Sequence, residues 1–139
     1  MELHKSSYRI IKSQWGIAID IVGEITSLEN CIANADSIKI DNGLWIKILC
    51  KLSYEEEQYI YSGFKSISEL IINALPYKAN TLVIIHAIEY SLCDYQIEGL
   101  IPAIYQWVSG ILKINIPKVE VEFNKKLNRY EFDLNSDIT

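Results

Sequence analysis

Ile84-Ile85-His86-Ala87-Ile88-Glu89-Tyr90-Ser91-Leu92-Cys93-Asp94-Tyr95-Gln96-Ile97-Glu98-Gly99-Leu100 is the stretch on which the fold turns. It opens inside a nearly continuous apolar run, Leu82 to Ile88, which suits a central strand covered on both faces. It closes by starting a different period. Ile97, Leu100, Ile101, Ile104, Trp107, Val108 and Ile111 recur at three- and four-residue spacing, which predicts an amphipathic helix from Gln96 to Leu112. Pro102 fits that helix if its first turn begins near Leu100 or if the axis bends, because proline has no N–H to donate.

The flanking chain supplies the partners this strand and helix need. Toward the N-terminus, Ser53-x-x-Glu56 is a capping box, and Glu55, Glu56 and Glu57 fill the positive first turn of the helix behind it. Ile60, Phe64, Ile67, Ile71 and Ala74 keep helical spacing as far as Pro76, and Gly63 is expected to split the segment in two. Asp41-Asn42-Gly43 between Ile38/Ile40 and Leu44/Ile46/Ile48 predicts a β-hairpin, with Leu44, Ile46, Ile48 and Cys50 on its buried side. Tyr8 to Ile25 reads as strand, with Gly23 as a bulge or a point of close approach. Thr26-x-x-Glu29 resembles a second capping box, and Leu28, Cys31 and Ile32 give one face to a short helix. At the other end, Val119, Val121 and Phe123 alternate with Glu120 and Glu122, and Tyr130 to Leu134 returns as the second arm of a terminal hairpin.

The expected order is therefore β-α-β-β-α-β-α-β-β in a single domain over residues 1–139. Strands in clusters with helices between them imply an α+β two-layer sandwich, helices on one face of a mixed or antiparallel sheet. Without the short first helix, the order β-β-β-α-β-α resembles that shared by the second domain of a small-subunit ribosomal protein and the fourth domain of translocating elongation factors. The likeness is one of element order and implies no ribosome binding.

Composition narrows the classes of function. The net charge of −5 and pI near 5.0 argue against a nucleic-acid binder and suit a partner with a basic surface. Met1 to Ser7 lacks the apolar core of a signal peptide, and no run approaches a membrane span, so the expected compartment is the cytosol. Cys31, Cys50 and Cys93 are widely spaced and form no C-x-x-C pair, which indicates neither a disulfide framework nor a zinc knuckle. His4 and His86 are isolated, and the glycines form no phosphate loop, so neither a metal nor a cofactor is expected. The 25 isoleucines against 5 valines match AT-rich coding and suggest a bacterial, mobile gene.

The strand–helix junction holds the most reactive chemistry. His86 on its strand is expected to share a face with Ile84 and Ile88, while Glu89 points the other way. One reading makes His86 a general base with Asp94 or Glu98 as its partner, the core of a small enzyme. A plainer reading makes Asp94 and Glu98 helix-start residues that satisfy free N–H groups. A third joins Asp94, Tyr95 and Glu98 to Glu55, Glu56, Glu57 and Tyr59 as an acidic, tyrosine-rich recognition surface. A homodimer paired through an exposed edge such as Val119–Phe123 is also open.

In size, acidity, absence of an export signal and absence of a catalytic motif, the chain resembles immunity proteins of bacterial polymorphic and contact-dependent toxin systems. That resemblance implies a cytoplasmic, non-enzymatic protein that binds and occludes a toxin's basic active-site surface. Glu55, Glu56, Glu57, Tyr59, Asp94, Tyr95 and Glu98 are the residues expected to face it.

Overall fold

Ile17, Ile19 and Ile21 share one side of a strand by the two-residue period, and burying that side organises the molecule. The computed structural model describes residues 3–28, 37–75 and 80–134. Five strands form one sheet: β1 (His4–Ile11), β2 (Gly16–Ser27), β3 (Ile38–Asp41), β4 (Leu44–Ile48) and β5 (Thr81–Tyr90). Their spatial order is β1-β2-β5-β4-β3. Among the described residues only β4 and β5 run parallel, joined by a crossover through α1 (Tyr54–Ser66) and α2 (Ser68–Ala74). After β5 comes α3 (Leu100–Leu112), which packs on β1, β2 and α1. The helices cover one face of the mixed sheet, so the fold is an α+β two-layer sandwich. A separate two-stranded sheet, β6 (Glu120–Asn124) and β7 (Arg129–Asp133), closes the described chain. Among the described residues no helix is long and apolar enough to cross a membrane.

Several local expectations hold. Gly43 takes the left-handed φ of 84° that the Asn-Gly turn requires, and β3 and β4 pair around it. The Ser53 Oγ accepts from the Glu56 N–H at 3.1 Å, and Glu56 Oε1 accepts from the Ser53 N–H at 2.9 Å, completing the capping box. Pro102 lies in the first turn of α3, where its missing N–H breaks no helical bond.

Four expectations are corrected. Tyr8 to Ile25 is two strands of a hairpin, because polar residues Lys12, Ser13 and Gln14 interrupt the pattern and Gly16 restarts it against Ile11. A Cβ on Gly16 would stand 2.5 Å from the Ile10 carbonyl oxygen, so the tight return admits only glycine. Thr26 ends up inside β2 instead of capping a helix, and the remainder of that expected helix lies beyond the described residues. Gly63 does not divide the helix: the break comes at Ile67, buried and non-helical (φ −118°, ψ 17°). Gly63 instead lets α3 approach, since a Cβ there would meet Ile104 Cδ1 at 3.1 Å.

The fourth correction concerns β5. The register against β2 slips between Val22 and Gly23, so that Val22 pairs with Ala87, Gly23 pairs with Ile85, and His86 is the extra residue of a β-bulge. Gly23 belongs to the helix side, where a Cβ would stand 2.4 Å from the Ile84 carbonyl oxygen and 3.0 Å from Trp107 Cζ2. Its partner Ile85 therefore faces the helices, while Ile84 and His86 face away. Beyond the bulge the alternation is reset: Ile88 pairs with Ile21 and Tyr90 with Ile19, both on the helix side. His86 and Ile88 thus point to opposite faces, contrary to simple alternation.

Candidate functional site

The bulge has a direct consequence for chemistry, because it delivers Tyr90 to the N-terminus of α1. There the Tyr90 hydroxyl donates to Glu56 Oε2 at 2.6 Å, and the Tyr95 hydroxyl donates to the same oxygen at 2.7 Å. The two phenol rings stack with centroids 3.6 Å apart and planes 9° from parallel. With Oε1 accepting from the Ser53 N–H, both oxygens of the carboxylate are engaged by donors. Burial pushes the Glu56 carboxyl up, but the bonds from Tyr90, the Ser53 backbone and Tyr95 outweigh it and hold the group below the usual glutamate range. Tyr95 moves the opposite way, raised first by burial and then by its bond to the carboxylate. Tyr90 is raised chiefly by that same bond.

This arrangement changes the role of Glu56. Expected on an exposed recognition face, it is only 7% exposed and ties α1 to the end of β5 and to Tyr95. Its neighbours Glu55 and Glu57 remain outside, on either side of it. Glu55 belongs with Tyr59 and Glu98: burial raises the Tyr59 hydroxyl first, and the negative charges of Glu98 and Glu55 add to it. Glu98 also forms an ion pair with Arg129 of β7. Glu57 lies on the other flank, where its charge reaches Tyr61 and Cys50. Asp94 is elsewhere, in a concavity beside Arg9, Ile11, Gly16 and Ala18 at the β1–β2 turn. Of the seven residues expected together, Glu55, Tyr59 and Glu98 form an outer cluster and Glu56 with Tyr95 form its internal support.

The carboxylates do not start α3, whose first turn contains no acid and whose N-cap is Gly99. Gln96 and Glu98 reach the terminal hairpin instead. The Gln96 side-chain amide donates to the Tyr130 carbonyl at 2.6 Å and accepts from the Tyr130 N–H at 2.8 Å, imitating a rung of a neighbouring strand. Tyr130 is wholly buried, and its hydroxyl donates to the Trp15 carbonyl at 2.6 Å while accepting from the Lys12 N–H at 2.9 Å. Trp15 meets Tyr130 and Phe123 edge-on. The hairpin is thus fixed by its inner face to the β1–β2 turn.

Its outer face is acidic. Strand register sets Glu120 opposite Asp133 and Glu122 opposite Glu131, all four exposed, while Val121 and Tyr130 are buried behind them. Like charges directly across a two-stranded ladder weaken it. These residues were missing from the expected recognition set although each arm's alternation was visible. Superposing the two arms in register would have found them.

His86 does not join Asp94 or Glu98. Its Nε2 stands 3.5 Å from Glu24 Oε2 on the face of the sheet away from the helices, and Glu98 is engaged with Arg129. The bulge that turns Tyr90 inward leaves His86 on the opposite face. Among the described residues no three histidine, cysteine or carboxylate side chains converge as a metal site. No protein family, no curated protein and no solved structure matches the chain.

Proposed function

We propose that this protein is a small acidic binding module, an immunity protein that neutralises a bacterial toxin by covering its basic active-site surface in the cytoplasm. The observation that carries the reading is the outer face of the β6–β7 hairpin. Glu122 opposite Glu131 opposes hairpin stability, in a two-stranded sheet that has little to spare. A basic partner surface turns that repulsion into attraction, and it is the fit that an acidic plug against a nucleic-acid-cleaving or nucleic-acid-modifying toxin needs. Glu55, Tyr59 and Glu98 extend the face, since Glu98 pairs with Arg129 on the same hairpin. Glu56 and Tyr95 act beneath it as positioning residues.

The test is capture of a partner from the native host, with the product of an adjacent gene as the first candidate. Wild-type protein should retain a basic protein, and the retention should fall steeply with salt. The Glu120→Lys, Glu122→Lys, Glu131→Lys triple variant should lose it while remaining folded. Equal retention by the triple variant and by Glu55→Lys, Glu98→Lys would refute an acidic interface.

A further inference from the structure

α3 contains a glycine that packing does not require. A Cβ on Gly16, Gly23 or Gly63 would meet a neighbour at 2.5, 2.4 or 3.1 Å, but a Cβ on Gly110 meets nothing within 4 Å. Glycine inside a helix weakens it relative to alanine, so its use here points to the room it leaves. That room is a cavity of about 410 Å³ between α3, β1 and the segment preceding β6, with Ile10, Pro102, Ile116 and Val119 among its walls. The volume falls in the range of small-molecule pockets, roughly 300–1,000 Å³.

Tyr8 is a second and independent sign. It lines the same cavity, and although the residue as a whole is only 8% exposed its hydroxyl makes no hydrogen bond among the described residues and stays open to the cavity. Four other tyrosine hydroxyls are bonded within the protein: Tyr90 and Tyr95 to Glu56, Tyr105 to Ser66, and Tyr130 to Trp15. Burial alone pushes the Tyr8 hydroxyl up to about 12, which keeps its proton in place as a donor at neutral pH. Lys118, also lining the cavity, is exposed and pairs with no carboxylate among the described residues. An apolar wall, an unused neutral donor and an unpaired cation together describe a ligand.

We propose that this cavity binds a small apolar carboxylic acid, its chain or ring against Ile10, Pro102, Ile116 and Val119, its carboxylate taken by the Tyr8 hydroxyl and the Lys118 ammonium. Gly110 keeps the opening clear. The site is distinct from the acidic hairpin face and does not depend on the proposed toxin partner.

The experiment is an amide-resolved NMR titration of the full chain with decanoate, kept below its micelle-forming concentration, with decanol in parallel. Saturable shifts should cluster on Ile10, Gln106, Gly110 and Val119. Tyr8→Phe should weaken decanoate roughly five-fold, the equivalent of one hydrogen bond, without loss of fold. Lys118→Gln should weaken decanoate and leave decanol unchanged. Gly110→Leu, whose side chain enters open space, should fold normally and abolish binding of both. Shifts that fail to saturate, that spread over the surface, or that persist in Gly110→Leu would overturn the site. Decanol binding as tightly as decanoate would overturn the carboxylate.

Discussion

Replacing Glu56 removes the acceptor on which three separate parts of the chain converge. In Glu56→Ala the Tyr90 and Tyr95 hydroxyls, held at 2.6 and 2.7 Å in the native protein, lose their partner together. The Ser53 N–H loses its cap at the same time, although the Ser53 Oγ can still accept from the backbone of residue 56. A hydrogen bond to a charged group contributes about 1.5–3 kcal/mol. Two that share one oxygen add less than fully, so the expected loss is about 3–5 kcal/mol. That is a large part of the roughly 5–15 kcal/mol that stabilises a typical domain. Glu56→Gln keeps a neutral acceptor and should lose only about 1–2 kcal/mol. Urea unfolding followed by tryptophan fluorescence at neutral pH measures both variants. The pH dependence supplies an independent check. The folded-state pKa of Glu56 lies below its ordinary value of 4.5, so its contribution is complete above that value and is lost as pH falls through the lower folded one. Between about pH 6 and about pH 3 the wild type should therefore lose more stability than Glu56→Gln does. A Glu56→Ala loss under about 1 kcal/mol, or identical pH profiles for wild type and Glu56→Gln, would refute the assignment of Glu56 as the pin of this junction.

Gly23→Ala should destabilise by about 3 kcal/mol, read as a lowered thermal midpoint, because its Cβ would stand 2.4 Å from the Ile84 carbonyl oxygen beside the bulge. Gln96→Ala should accelerate hydrogen exchange at the Tyr130 amide by roughly ten-fold or more while leaving the β2–β5 ladder protected, since Gln96 alone accepts that N–H. Glu122→Lys places a cation opposite Glu131 and should raise stability by about 0.2–1 kcal/mol in urea unfolding, even as it weakens any complex formed through the acidic face. A destabilised Glu122→Lys would mean that the hairpin's acids support the fold.

The capping box at Ser53 and Glu56, the Asn42-Gly43 turn, the α3 stripe and the terminal hairpin were all legible in the sequence, because each depends on residues close along the chain. The α+β class followed from their order. What the sequence could not set was the phase of β5 after His86. A bulge is decided by how two strands distant in sequence fit against each other, here by Gly23 lying beneath Trp107 and against the Ile84 carbonyl. One extra residue reverses every side chain that follows it. It sends Tyr90 to Glu56 and leaves His86 beside Glu24, dissolving the expected grouping of His86 with Asp94 or Glu98. The acidic run at Glu55, Glu56 and Glu57 likewise looked uniform in sequence. Tertiary packing divided it, burying the member that two tyrosines could satisfy and leaving the others outside, because a carboxylate enters a protein interior only where donors meet it.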